Sequence, residues 1–168
     1  MKHQILLWVF LMTTLLSNSC TNMPEQNTKQ MGKIKGQESV VVFACEHGSA
    51  KSVVAAAHFN QLARQRNLDV WAISRGTDPD QEIPTKVIQG LRTEGLVAGE
   101  AKPQLLSQAD VAGAIRVVAF CPLPEDYKKL APIEEWKDVP PISEDYNKSR
   151  DAMVVHINRL LDEIKAGK

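Results

Sequence analysis

The chain has 168 residues, a length that predicts a single domain. Hydrophobic residues make up 43% of it and charged residues 24%, which are the proportions of an ordinary globular protein. Lysine and arginine together number 20, as do aspartate and glutamate, so no basic excess indicates nucleic acid as a partner.

The N-terminal residues 1–19 have the pattern of a targeting segment. Lys2 supplies a positive charge, and the largely apolar run from Ile5 to Leu16 is shorter than the roughly 20 residues that a membrane-spanning helix needs. Small polar residues then lead to Cys20, which resembles the lipid-modified cysteine of a bacterial lipoprotein. We therefore expect an exported protein of the cell envelope, lipid-anchored to a bacterial membrane through Cys20; simple secretion and an uncleaved anchor are the alternatives.

The segment after the targeting sequence differs in composition from the rest of the chain. Residues 20–38 are polar and lack apolar periodicity, which predicts a flexible tether. The folded domain is then expected over residues 39–168.

A strand, a loop and a helix follow one another at the start of this domain. The β-branched run Ser39–Ala44 predicts a buried strand, Cys45 begins a small polar loop, and Ser52–Asn67 predicts an amphipathic helix. In such a unit the loop amides and the helix N-terminus favour an anion at one spot. The same field favours a thiolate over a thiol, so Cys45 is a candidate nucleophile beside a bound oxyanion.

The remaining elements continue the alternation of strands and helices that is typical of a parallel α/β sheet. Ligands of such sheets bind at the carboxyl ends of the strands, where Cys45 lies. The predicted elements are a strand at Asp69–Ser74, a helix at Pro84–Glu94, a short helix at Pro103–Leu106, a strand at Arg116–Phe120, a helical turn at Tyr127–Leu130, an edge strand at Ile133–Trp136 and a last helix that Ser143 caps and that ends at Lys165.

The loop after the first strand carries the clearest motif. Cys45, five further residues and then Lys51 and Ser52 resemble the C-x5-R-S loop of the low-molecular-weight protein tyrosine phosphatases and of the thioredoxin-coupled arsenate reductases that share their fold. Further likenesses, within residues 39–165, lie at Ser74–Thr77, Pro84–Gly95, Val117–Cys121 and Trp136–Pro140. The resemblance implies an α/β three-layer sandwich, with a four-stranded parallel sheet, helices on both faces and no cofactor.

The resemblance also implies roles for individual residues. Cys45 is the expected nucleophile, Ser52 the donor to its thiolate, Lys51 the cation in place of the family's arginine, and Asp138 the general acid. One residue separates Asp138 from Pro140, whereas the family has an adjacent Asp-Pro pair. The rest of the phosphate-binding loop consists of Glu46, His47, Gly48, Ser49 and Ala50.

Two departures from the motif leave two functional hypotheses open. Lys51 lacks the planar fork with which arginine holds a phosphoryl group, and Glu46 places a carboxylate beside a site for a dianion. The first hypothesis is a phosphatase-like hydrolase that acts on a phosphorylated small molecule or a phosphoprotein, protein phosphotyrosine among them, through a phospho-cysteine. The alternative is a catalytically weak or inactive relative that binds an inorganic oxyanion.

A third hypothesis concerns the second cysteine of the predicted domain. Cys121 ends another strand, and in the arsenate reductases a second cysteine at a comparable point attacks the first, so the resemblance also implies a thiol redox protein as a hypothesis. The third cysteine of that relay has no counterpart, and a small buried residue is the structural alternative for Cys121. His47 and His58 lack a fourth partner beside Cys45, so we predict no metal site.

Overall fold

The computed structural model of the chain describes residues 39–167. In chain order the elements are β1 (Ser39–Cys45), α1 (Lys51–Gln65), β2 (Val70–Gly76), α2 (Thr85–Thr93), α3 (Gln108–Gly113), β3 (Ala114–Ala119), α4 (Glu125–Lys128), β4 (Ile133–Glu135) and α5 (Tyr146–Lys165). The predicted targeting segment at 1–19, the lipidation site Cys20 and the tether at 20–38 lie outside the described residues. Among the helices at 39–167, none combines the length and the apolar character needed to cross a bilayer.

The four strands form one parallel sheet in the order β2-β1-β3-β4, which confirms the predicted architecture. Strand β1 lies inside the sheet between β2 and β3. Its last residue, Cys45, pairs with Gly76 at the end of β2, and Ala44 pairs with Ala119 at the end of β3. The loops that follow these three strands therefore meet at one edge of the sheet.

Two hydrophobic cores lie on opposite faces of this sheet. Val41 and Phe43 of β1 belong to the core shared with α1 and α5, whereas Val42 and Ala44 belong to the core shared with Val111 of α3. Because successive side chains of a strand point to opposite faces, a strand buried on both sides has an uninterrupted apolar sequence. The helices thus cover both faces, as the three-layer prediction requires.

The predicted helix at 103–106 is wrong, because this segment is extended and pairs with the end of β2. The Gly76 amide donates to the Gln104 carbonyl and the Leu106 amide donates to the Gly76 carbonyl, each at 2.8 Å. Leu105 forms an isolated parallel bridge with Gly76. This tertiary pairing outweighs the helix start that Pro103 favours.

The cap of the last helix also differs from the prediction. Helix α5 begins at Tyr146, and Asp145 rather than Ser143 is its N-cap. The Asp145 side chain accepts a hydrogen bond from the Lys148 amide at 3.0 Å. Serine and aspartate both favour the N-cap position, so the residue that caps α5 is set by where the chain enters the helix.

Helix α2 packs against the start of α5 through a glycine. A Cβ atom built on Gly90 would lie 2.4 Å from the Cε2 and Cζ atoms of Tyr146, whose ring is largely buried. The ring therefore occupies the space that a side chain at this position needs.

We expect Gly90→Ala to lower the free energy of unfolding by about 1–3 kcal/mol, measured by urea denaturation. Overpacking costs this much, and it outweighs the roughly 1 kcal/mol that alanine gains over glycine inside a helix. Gly113→Ala is the matched control, because a Cβ there meets no atom within 4 Å, and it should leave stability unchanged or slightly raised. Equal stability of Gly90→Ala and wild type would show that the Tyr146 ring moves aside freely.

Candidate active site

The loop between β1 and α1 is held in place by the segment that follows β2. The backbone carbonyls of Cys45, Glu46 and His47 accept hydrogen bonds from the amides of Thr77 (3.1 Å), Asp78 (2.8 Å) and Asp80 (3.0 Å), respectively. In a trans peptide the carbonyl and the following amide point in opposite directions. The amides of residues 46–48 therefore point away from this segment and are oriented to receive an anion.

Gly48 takes the left-handed conformation that the loop requires. Its φ is +60°, and a Cβ atom built on it would lie 2.7 Å from the Gly76 amide nitrogen. A Cβ built on Gly76 would lie equally close to the Gly48 amide nitrogen, at 2.7 Å. The two backbones touch, so each position needs the absence of a side chain.

The N-terminus of α1 is open to a ligand. Ala50, the N-cap residue, offers no side-chain hydrogen bond, and the first turn contains no acidic residue. The first amides of a helix have no partner within the helix and carry the positive end of its dipole. Together with the loop amides they present hydrogen-bond donors that favour an anion, at the edge of the sheet where Cys45 lies.

Cys45 and Ser52 are brought together as the motif implies. Cys45 Sγ and Ser52 Oγ form a hydrogen bond of 3.1 Å, and both residues are buried. When the sulfur is a thiolate it can only accept, so the Ser52 hydroxyl donates. This contact stabilises negative charge on the sulfur.

A cavity of about 450 Å³ opens at this site. The loop contributes Cys45, Glu46, His47, Ser49, Ala50 and Lys51, and other segments contribute Asp80, Pro84, Lys86, Val87, Phe120, Cys121, Pro141, Ile142 and Ser143. The walls away from the loop are mainly apolar. The cavity therefore combines an anion-binding end with an apolar surface.

Lys51 reaches the wall of this cavity through its ammonium group. Its Nζ donates to the carbonyl of Val139 at 2.8 Å and lies 5.9 Å from the centre of the Phe120 ring. The ammonium group thus lies at the cavity, on the side that adjoins the segment between β4 and α5.

Asp138 is not among the residues that line the cavity. Its carboxylate lies 2.8 and 3.0 Å from Nε2 of His156 and its side chain is 69% exposed. The hydrogen bond from His156 holds the pKa of Asp138 below its usual value, which keeps this carboxyl deprotonated. The geometry therefore gives no support to the role of general acid that the motif implies for Asp138.

Asp80 is a residue of the cavity that sequence reasoning missed. Ser49 Oγ donates to Asp80 Oδ2 at 2.5 Å, and Nδ1 of His47 lies 3.4 Å from Asp80 Oδ1. In the sequence Asp78-Pro79 indicates only a turn. The available signal was the position of Asp80 shortly after the carboxyl end of β2, the edge at which ligands of parallel sheets bind.

Cys121 lines the same cavity as Cys45, and both are free thiols. Burial, followed by the proximity of Cys45, raises the pKa of Cys121 above its ordinary value. Cys121 is therefore a protonated thiol at neutral pH. His58, by contrast, is buried against Glu94, with Nε2 3.0 Å from its carboxylate.

Solved structures provide the comparison that decides the fold. The chain resembles an arsenate reductase from Archaeoglobus fulgidus (26% identity, 73% of this chain and 99% of that chain, TM-score 0.61), a low-molecular-weight protein tyrosine phosphatase from T. tengcongensis (21%, 74% and 99%, 0.64) and YfkJ from Bacillus subtilis (19%, 80% and 99%, 0.68). The chain has the low-molecular-weight phosphatase fold. No protein-family model and no curated protein sequence matches it.

Within this fold, the sequence from Cys45 to Ser52 runs from the last residue of β1 through the loop at 46–50 into the first turn of α1. Position 51 of this chain is a lysine, and its amine cannot form the paired hydrogen bonds of a guanidinium. The conformation of the loop depends on the contact between Gly48 and Gly76, and this can be tested through phosphate binding, without an assay of catalysis.

We expect phosphate to raise the melting temperature of the wild type and Gly76→Ala to abolish this rise. The new Cβ would collide with the Gly48 backbone and displace the loop amides. Thermal unfolding with and without phosphate measures this, and the scan without phosphate reports the loss of stability by itself. Gly99→Ala, whose Cβ meets no atom within 4 Å, should keep the full phosphate response. A preserved response in Gly76→Ala would contradict the assignment of the loop as the anion site.

Proposed function

We propose that this protein is a phosphatase-like hydrolase that cleaves phosphate monoesters through a phospho-cysteine on Cys45. One observation carries the proposal: the Cys45 sulfur is hydrogen-bonded to Ser52 at the start of a loop whose amides are oriented to receive an anion. The phosphatases and arsenate reductases among the similar structures support an oxyanion as the ligand.

The proposed reaction has two displacements at phosphorus. The Cys45 thiolate attacks the phosphoryl group, an S–P bond forms, and the P–O bond to the leaving group breaks. Loop amides and the N-terminus of α1 stabilise the charge on the equatorial oxygens. Water then attacks the phospho-cysteine, and Ser52 donates to the sulfur as it leaves.

Lys51 sets the expected strength of this catalysis. A lysine is a point charge, whereas an arginine stabilises the transferring group with two parallel hydrogen bonds. The ammonium of Lys51 is also bonded to the Val139 carbonyl. We therefore expect a slow enzyme, and an oxyanion-binding protein without turnover is the alternative that these features favour.

The apolar walls of the cavity suggest the substrate class. Val87, Phe120 and Ile142 line the space outside the loop. Burial of an apolar group of the ester in this cavity removes it from water, which contributes about 25 cal/mol of binding free energy per Å² of buried surface. A phosphate monoester with an aromatic group, such as a phosphotyrosine side chain, matches this surface.

We expect the wild type to hydrolyse para-nitrophenyl phosphate under reducing conditions, and Cys45→Ser to lose turnover because it lacks the nucleophile. Lys51→Arg should raise kcat/KM by about tenfold, since a bidentate contact gains more than 1 kcal/mol over a point charge. Release of para-nitrophenolate measures both. If the wild type is inactive and phosphate still raises its melting temperature, the hydrolase proposal fails and the oxyanion-binding protein is the function that remains.

We keep thiol redox chemistry as a second candidate because Cys121 lines the same cavity as Cys45. With arsenate, the Cys45 thiolate would attack arsenic, an As–S bond would form, and one As–O bond would break as an arsenate hydroxyl takes a proton from solvent and leaves as water. Cys121 would then lose its proton to solvent and attack the Cys45 sulfur. The S–S bond forms as the As–S bond breaks, and the electron pair reduces As(V) to As(III), which leaves as arsenite.

This second candidate predicts a disulfide between Cys45 and Cys121 after incubation with arsenate, detected by peptide mass spectrometry without reductant. Cys121→Ser should remove the disulfide and leave hydrolysis of para-nitrophenyl phosphate intact, because the hydrolytic route does not use Cys121. Absence of the disulfide in the wild type would exclude the redox role.

The location of the domain in the cell is a separate proposal. We propose that residues 1–19 direct export and that a lipid on Cys20 holds the protein at the membrane, with 20–38 as the tether. The pattern of an apolar run followed by small residues and a cysteine supports it.

A further inference from the structure

We propose that His47 is the catalytic acid and base of this site and that Asp80 is its positioning residue. The inference rests on the proposed hydrolase function and names the group that protonates the leaving oxygen. It follows from the arrangement of the charged groups around the cavity.

His47 lies beside a carboxylate and lines the same cavity as the nucleophile. His47 lies two positions after Cys45 and lines the same cavity, with its side chain 57% exposed. Its Nδ1 lies 3.4 Å from Asp80 Oδ1, while Nε2 lies 4.0 Å from Glu46 Oε2. A carboxylate beside one imidazole nitrogen orients the ring so that the other nitrogen can exchange a proton with the substrate.

Asp80 is itself held in place by the loop. Its amide donates to the His47 carbonyl at 3.0 Å, and its Oδ2 accepts from Ser49 Oγ at 2.5 Å. The carboxylate is therefore fixed relative to the backbone that carries the imidazole. This rigidity is what a positioning residue supplies.

The lysines and the second cysteine of the cavity do not compete with His47 for this role, and Glu46 lies beside the imidazole itself, with Oε2 4.0 Å from Nε2. Lys51 donates to Val139, and Lys86 donates to the Ser143 carbonyl at 2.9 Å. Burial keeps the pKa of Cys121 high, which makes its thiol a poor acid. Asp138 is bonded to His156 and does not line the cavity. Histidine is the side chain that most often performs general acid–base catalysis, and His47 is the one in this cavity.

The proton transfers balance over the two steps. As the Cys45 sulfur attacks phosphorus, the leaving oxygen takes the electron pair of the P–O bond and the Nε2 proton of the His47 imidazolium, and an alcohol departs. In the second step water gives a proton to the neutral imidazole and attacks phosphorus. The S–P bond breaks, phosphate leaves, and the thiolate and the imidazolium are restored.

The test compares two aryl phosphates on the full chain under reducing conditions. Phenyl phosphate has a poor leaving group that needs a proton, whereas 2,4-dinitrophenyl phosphate has a good leaving group that does not. His47→Gln should lower kcat/KM by about 100-fold or more for phenyl phosphate and by less than about threefold for the dinitrophenyl ester. Asp80→Asn should give an intermediate loss with the same dependence on the leaving group.

His156→Gln is the matched control, because it removes a histidine that is also paired with an aspartate but lies outside the cavity lining. It should change the rates for both esters equally and slightly. An equal loss for both esters in His47→Gln would overturn the assignment of His47. So would a loss that depends on the leaving group in Asp138→Asn, or one that appears in Asp80→Asn and not in His47→Gln. Absence of turnover for either ester in the wild type would instead overturn the hydrolase and the inference together.

Discussion

Gly48 and Gly76 pack backbone against backbone at the edge of the sheet where β1 and β2 end, and the site depends on this contact. It brings the loop close enough for three of its carbonyls to accept hydrogen bonds from residues 77–80. With the carbonyls occupied on one side, the following amides point to the other. The same contact places Asp80 beside His47 and Ser49. A single steric constraint thus orients both the anion-binding amides and the charged groups near them.

Most of the fold could be predicted from the sequence because its signals are local. The apolar run at Val40–Ala44 is continuous because β1 is buried on both faces, and this pattern indicates a central parallel strand. The long helices have apolar residues at helical spacing. The segment 103–106 could not be predicted in this way, since its conformation is set by hydrogen bonds to Gly76, far away in the sequence.

The candidate site was predictable in its backbone and less so in its side chains. Cys45 and Ser52 are near each other in the sequence, at the two ends of the short loop that joins β1 to α1. Their spacing therefore predicts that the two side chains lie close together, as their hydrogen bond shows. The Lys51 ammonium, in contrast, binds a carbonyl 88 positions later in the chain, and the Asp138 carboxylate is held by a histidine on α5. The directions in which these two side chains point depend on how distant segments of the chain pack together. Asp80 reaches the cavity for the same reason, through a segment in which the sequence indicates only a turn.

This division between backbone and side chains suggests how the site can bind an oxyanion with an unusual set of residues. Amides at a helix N-terminus favour an anion whatever the side chains are, so the proposed oxyanion binding depends on the backbone and less on Lys51 and Glu46. Transition-state stabilisation and proton transfer depend on side chains placed within hydrogen-bonding distance of the reacting atoms. In this chain the cation adjoins the β4–α5 segment and the imidazole–carboxylate pair belongs to the loop and the segment after β2. His47 and Asp80 line the cavity and Asp138 does not, which is why we assign the proposed proton transfer to His47.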